Sequence, residues 1–241
     1  AMGNIDPAPD TCDDFVISAP GFDSNMDDAG ALLIIHGWGG TNCPSEPTAK
    51  FILGQFSDSE FGASLASGLD ADGDNEPDTL VGAPGIGYAA LFQSADVASI
   101  AAQSLPEGTI PDYNSGHWEL FPVKTDLLWV GVEADAEFGS AVTLLPDMDG
   151  DNMAEIGVAE HSGAWSGVSG TGSLGLFFSD GAGSALWPDR IILGESTLST
   201  NEFAYAINAA QLSSTTLLIG SPSADVHSID YGGAYLLPLE P

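Results

Sequence analysis

Basic residues are almost missing from this chain. Lys50, Lys124 and Arg190 stand against 35 Asp and Glu in 241 residues, which leaves a formal net charge of -32. No cluster of bases can neutralise phosphates, so nucleic acid and an anionic membrane surface are excluded as partners, and cations are favoured. Long apolar runs are missing too. The longest, such as Ala31-Leu32-Leu33-Ile34-Ile35, have strand length and fall far short of the roughly 20 residues that span a bilayer as a helix. A soluble chain without membrane insertion is therefore expected. Ala1-Met2-Gly3 has neither a basic nor an apolar leader region and reads as a cloning scar or a mature end.

Cysteine is limited to Cys12 and Cys43, on either side of the first strand pattern. A disulfide between them would contribute roughly 3 kcal/mol by closing that loop. It would also place the protein in an oxidising compartment: extracellular, cell-surface or periplasmic. The alternative is a pair of buried thiols, since metal sites need more Cys or His than this spacing offers. Catalytic motifs are missing as well: there is no Gly-x-Ser-x-Gly, His-Glu-x-x-His or phosphate-cradling Gly loop. His36, His117, His161 and His227 are scattered and read as surface or hydrogen-bonded loop residues.

What is present predicts a folded, all-β protein. High net charge marks disorder only when hydrophobicity is low, and here 44% of residues are hydrophobic with a mean hydropathy of +0.12. Gly (30) and Pro (15) punctuate short runs of Val, Ile, Leu, Phe and Tyr. The most helix-like stretch is Ser94 to Gln103, which is expected to decorate a loop.

The runs repeat. An apolar strand, a Gly, a polar linker and then Glu60-Phe61-Gly62, Glu137-Phe138-Gly139 or Glu202-Phe203-Ala204 mark three positions. Between them recurs a small-small-Pro turn, Ser18-Ala19-Pro20, Gly82-Ala83-Pro84 and Gly220-Ser221-Pro222, which the third repeat replaces with Ala159-Glu160-His161. A Gly then leads into another apolar strand at Gly30, Gly87, Gly172 and Gly233. A unit of four short strands cannot bury both faces of its sheet alone and must stack on its neighbours.

The order Phe-Gly, acidic loop, Gly-Ala-Pro resembles the FG-GAP repeat, the blade of the integrin α-subunit propeller and of many secreted bacterial proteins. The resemblance implies one β-propeller-type domain over residues 1–241, built from about four four-stranded blades at 6–56, 61–134, 138–196 and 203–238. The first blade must take its first strand from residues 1–5, and the last stops after its third strand. Exposed edges would follow. Closure by the terminal segments or self-association is therefore expected.

Two acidic loops carry the chemistry. Asp70, Asp72, Asp74 and Asp78 occupy positions 1, 3, 5 and 9 of one; Asp147, Asp149, Asp151 and Glu155 occupy the same positions of the other. Carboxylates so spaced repel unless a hard cation sits among them, and oxygen ligands in this number suit Ca²⁺. Position 7, Glu76 or Met153, usually offers its backbone carbonyl. An EF-hand would require a bidentate Glu at position 12, where Val81 and Val158 stand; the family's calcium loop fits better, with Asp78 and Glu155 expected to be bidentate by resemblance. Asn75 and Asn152 stand where the family commonly has Gly and are expected to turn left-handed. The first blade holds a worn loop, Asp6, Asp10 and Asp14, as a weaker third calcium candidate, with Ala8 in place of a ligand. The last blade, with 211–216 at the equivalent place, should bind none.

Among the tryptophans, Trp129 lies in a strand pattern and is expected in the core. Trp165, in a Gly/Ser loop, is the best candidate for contact with a ligand. The long insert from Gln93 to Trp118 falls between the third and fourth strands of the second blade and could carry recognition or merely decorate the surface. These features together predict a non-enzymatic, extracellular, calcium-binding module that recognises a protein or glycan ligand. The rival readings are a carbohydrate-active enzyme on a propeller scaffold and a structural spacer of a larger cell-surface protein.

Overall fold

Short β-branched and aromatic runs, each cut off by Gly, Pro or an acidic turn, form strands that pair with their neighbours in sequence. The structure, a computed structural model, describes residues 2–3, 5, 12–24, 26–100, 103–104, 119–120, 128–131, 136–163, 171–178, 188–194, 203–211, 215–222 and 232–239. Its strands make four sheets, antiparallel apart from one two-residue pairing in the first. The first sheet runs β1 (Met2–Gly3), β2 (Asp14–Ala19), β3 (Ala31–Ile35), β4 (Thr48–Leu53). Met2 lies opposite Phe15, so the first strand does come from the segment ahead of the worn loop.

The second sheet begins with β5 (Ser64–Leu69), β6 (Asp78–Ala83) and β7 (Tyr88–Phe92). The insert then opens with a short helix, α1 (Ser94–Ser99), within the stretch that reads as helical in sequence. It continues through β8 (Gln103–Ser104), antiparallel to β4, and β9 (Glu119–Leu120), parallel to β4. The insert of the second sheet thus lengthens the first. The chain returns as β10 (Leu128–Val130), which closes the second sheet on β7. Buried Lys50 of β4 donates from Nζ to the carbonyls of Val97 and Ala98 at the end of α1, at 2.8 and 3.4 Å.

The third sheet is β11 (Phe138–Leu145), β12 (Glu155–Glu160), β13 (Ser173–Phe177) and β14 (Arg190–Leu193), and the fourth is β15 (Ala206–Gln211), β16 (Thr215–Ser221) and β17 (Gly233–Leu239). Three apolar clusters lie between successive sheets. Val16, Leu32, Ile34 and Ile52 of the first meet Val81, Ala83, Tyr88 and Ala90 of the second. Leu80, Ala89, Leu91 and Trp129 of the second meet Val142, Ile156, Val158 and Phe177 of the third. Ala159, Leu174 and Leu176 of the third meet Leu217, Ile219 and Leu239 of the fourth. Trp129 is a core residue, as its strand context predicts.

The repeated marks are contacts between sheets. Phe61, Phe138 and Phe203 are buried, and the residue after each has a positive φ: Gly62 (95°), Gly139 (92°) and Ala204 (62°). A Cβ on Gly82 would lie 2.0 Å from the carbonyl oxygen of Gly139, so the Gly of the second sheet's turn admits the Phe-Gly backbone of the third. The leading glycines Gly30, Gly87 and Gly172 also have positive φ, and each accepts a hydrogen bond from the Gly that ends the fourth strand, Gly54, Gly131 and Gly194 respectively. In the last sheet Gly232 takes this conformation, one residue ahead of the expected Gly233.

Candidate metal centre

The acidic loops join the first two strands of the second and third sheets. In each, position 1 organises the turn. Asp70 accepts from the amides of Gly73 (2.7 Å) and Asn75 (2.8 Å), and Asp147 accepts from those of Gly150 (2.7 Å) and Asn152 (3.0 Å). Asn75 and Asn152 are left-handed at φ 69° and 70°, as expected. Positions 3 and 5 repeat one pattern: Asp72 accepts from Asp74 N and Asp149 from Asp151 N, while Asp74 accepts from Glu76 N and Asp151 from Met153 N. Most of the turn amides are directed at a loop carboxylate.

Oxygens of Asp70, Asp72 and Asp78 lie within 4.8 Å of one another, as do those of Asp147, Asp149 and Asp151. Asp74 falls outside the first trio and Glu155 outside the second. Either group could hold a metal ion.

Position 9 behaves differently from the rest. Asp78 and Glu155 open β6 and β12 and are 0% and 1% exposed. Asp78 accepts from Ala71 N (2.9 Å) and Ser94 N (3.1 Å), and Glu155 accepts from Met148 N (2.8 Å) through Oε1. Glu155 Oε2 is buried without a hydrogen-bond partner. A buried acceptor with no donor costs about 1–3 kcal/mol, more if charged, and a cation at the loop would satisfy it. Burial first, with the neighbouring loop carboxylates adding to it, pushes both Asp78 and Glu155 up to about 7. Burial likewise raises Asp72, with help from Asp74 and Asp70. Among the described residues no base pairs with these acids, and a proton or a metal ion would offset their charge. The donor set of carboxylate oxygens fits a hard cation.

The two loops touch. Ala154 N donates to Asp70 O at 2.6 Å, and a Cβ on Gly73 would meet Met153 Sδ at 3.2 Å. Acids of both loops therefore share one end of adjacent sheets. Met153 and Glu76 sit at position 7 as the spacing requires, with their amides bound to position 5.

Sequence reasoning missed Gln93 and Ser94. Gln93 Nε2 donates to Asp72, and Ser94 supplies an amide to Asp78 and a hydroxyl 3.5 Å from Asp74. The connectivity could have found them, because in an antiparallel meander the end of the third strand lies at the same end as the loop between the first and second.

In the worn loop, Asp6 and Asp10 lie outside the described residues. Asp14 is buried and accepts from Ile5 N (3.0 Å) and Gly37 N (3.1 Å), with His36 Nδ1 at 3.6 Å. It clamps backbone as Asp78 does. Cys12 and Cys43 form the disulfide. They line an open cleft of about 380 Å³ with Asp13, Phe15, Gly37, Trp38 and Thr41. Trp165 lies outside the described residues. Among the described residues no helix is long and apolar enough to cross a membrane. No protein-family model matches the chain, and no curated protein matches it.

Proposed function

We propose that the four sheets are blades of an FG-GAP-type β-propeller, that its two acidic loops bind calcium, and that the module recognises a protein or glycan ligand outside the cytoplasm without catalysing a reaction. The observation that carries the calcium reading is the pair of buried position-9 carboxylates beside convergent acids, one with an oxygen that has no hydrogen-bond partner among the described residues. The propeller reading is supported by four consecutive meander sheets that pack face to face in chain order. The disulfide is compatible with an oxidising compartment. Ligand recognition rests on the family resemblance alone, because a fold hosts many functions.

In the calcium-bound protein, Asp70, Asp72, Asp74 and Asp78, and likewise Asp147, Asp149, Asp151 and Glu155, would supply carboxylate oxygens, with the carbonyls of Glu76 and Met153. The ion would hold each hairpin shut against the repulsion of its own acids, and binding would release the protons kept by Asp78 and Glu155 near neutral pH. Thermal unfolding at matched ionic strength tests this, with chelator, calcium and magnesium series. A saturating, calcium-specific rise in Tm is expected, since a ligand bound only by the folded state stabilises by mass action. An equal response to magnesium, or none, would reduce the loops to solvated turns. A glycan and matrix-protein array tests the recognition step.

A further inference from the structure

Cover is uneven across the outward face of the first sheet. Ala31, Ala49, Phe51 and Leu53 are buried there, whereas Phe15 and Ile17 of β2 are 40% and 53% exposed. The chain just beyond β3 adds a second open ring, since Trp38 is 50% exposed. In the second and third sheets the rings of Phe92, Trp129 and Phe177 are instead buried in the packing.

Trp38 is held by a braced loop. On one side Gly37 N donates to buried Asp14 at 3.1 Å, and a Cβ on Gly37 would meet Asp13 O at 2.6 Å, so glycine lets the loop lie against the segment ahead of β2. On the other side Gly39 turns left-handed at φ 76° and donates to Pro44 O at 2.9 Å, while Cys43 N donates to Gly40 O at 3.3 Å. The Cys12–Cys43 disulfide ties the two segments together. A large ring kept in water on a loop so constrained loses little freedom when a ligand covers it.

Between the segments lies the open cleft of about 380 Å³, within the size range of small-ligand sites. Besides the disulfide, its side chains are two aromatic rings, Phe15 and Trp38, one carboxylate, Asp13, and one hydroxyl, Thr41. Among the described residues no Lys, Arg or His lines it.

We propose that this cleft binds a quaternary ammonium group, of the kind that choline or trimethyllysine carries. Aromatic faces attract a cation, that of tryptophan most strongly, and the Asp13 carboxylate together with a net charge of -32 draws one in. The scarcity of polar side chains sets the class of cation. A primary ammonium brings three N–H donors, a guanidinium five, and a sugar several hydroxyls, against the side-chain acceptors of Asp13 and Thr41. A quaternary nitrogen has no donor, so none goes unsatisfied against the rings. The inference deepens the recognition reading and rests on it for there being a ligand, but it needs neither the calcium loops nor a closed propeller.

Titration calorimetry of the whole chain in calcium, with choline chloride against sodium chloride at equal ionic strength, tests it. Saturable binding of one choline per chain is expected. The neutral analogue in which a tert-butyl group replaces the trimethylammonium keeps the shape and loses the charge, and should bind roughly tenfold more weakly. Trp38→Ala should weaken choline roughly tenfold and Asp13→Asn roughly threefold, while Trp38→Phe, which keeps a ring, should retain most of the affinity. All three variants should keep the native far-ultraviolet spectrum and cooperative melting. A trimethyllysine peptide should bind as choline does, and phosphocholine less tightly, because its phosphate meets the acidic rim. Choline heats no different from those of sodium, equal binding of the neutral analogue, an affinity untouched by Trp38→Ala, or a preference for glucose or phosphocholine over choline would each overturn the proposal. If choline does not bind, a ligand found on the glycan and matrix-protein array leaves the recognition reading standing, and an array without ligands removes both.

Discussion

Asp78 and Glu155 occupy one repeat position, yet their surroundings predict different responses to the same chemical change. Both oxygens of Asp78 accept backbone amides, so Asp78→Asn must set an NH₂ group against an N–H donor and should cost about 1–3 kcal/mol. Only Oε1 of Glu155 is bonded. Glu155→Gln can keep that bond and place its NH₂ where the unpartnered oxygen was, so in chelator it should be neutral or stabilising while calcium binding at that loop is lost. Calorimetric unfolding of both variants, with and without calcium, separates the cases. The raised pKa values set the pH dependence. The folded protein holds protons up to about 7 that the unfolded chain releases near the ordinary values of 3.8 and 4.5, so in chelator these groups stabilise at low pH, and that stability is lost as pH rises to about 7. Calcium bound at the proposed sites would remove the protons, so its increment in Tm should grow over the same interval and then level off. An increment independent of pH would contradict the burial of these acids. A second pair of substitutions reads the backbone. Gly139→Ala would bring a Cβ within 2.3 Å of Tyr88 O at φ 92° and should cost more than ~2 kcal/mol, whereas Gly87→Ala, with nothing within 4 Å at φ 72°, should cost only ~1 kcal/mol for its left-handed conformation.

The disulfide acts on an element, tying the start of β2 to the loop between β3 and β4 across 31 residues. Its reduction, or the paired change Cys12→Ala and Cys43→Ala, should lower stability by roughly 3 kcal/mol and speed hydrogen exchange chiefly in the first sheet. Uniform loosening across all four sheets would mean that they unfold as one unit. Elements were also where the sequence was most and least informative. Strand positions were legible because each mark answers a short-range need of the backbone: a positive φ at Gly62 and Gly139, close approach at Gly82, and a left-handed turn at Asn75 and Asn152. The acidic loops were legible for the same reason, since their spacing is local. The attachment of β8 and β9 to β4 was not, because two-residue bridges leave no periodic pattern. Nor was the contact of Gln93 with Asp72, or of Ala154 with Asp70, which depends on how neighbouring sheets align. Asp14 shows the limit of motif reading: the last acid of a worn loop is kept, and its visible work is to hold two backbone amides.

At the scale of the whole molecule the question is whether calcium acts at sites or merely as a counterion. A charge of -32 repels itself in any compact state, and monovalent salt weakens that repulsion, with a screening length of about 10 Å at 0.1 M. Stability should therefore rise gradually with sodium chloride even in chelator, without saturating at a fixed stoichiometry. Two bound calcium ions would change the formal charge only from -32 to -28, too little for a global effect to explain a large shift in Tm. Their effect should instead be local, strongest where Asp70, Asp72 and Asp78 or Asp147, Asp149 and Asp151 converge. The double variant Asp72→Asn and Asp149→Asn separates these contributions. It removes one converging carboxylate from each loop and two negative charges from the chain, so it should unfold at slightly higher temperature in chelator and respond to sodium chloride much as the native chain does. Its calcium step should fall at least tenfold in apparent affinity, with titration calorimetry giving two ions per native chain and none at the same concentration for the variant. A calcium step that survives in the variant, or that disappears in the native chain once ionic strength is matched, would assign the effect to screening and leave the acidic loops without a metal role.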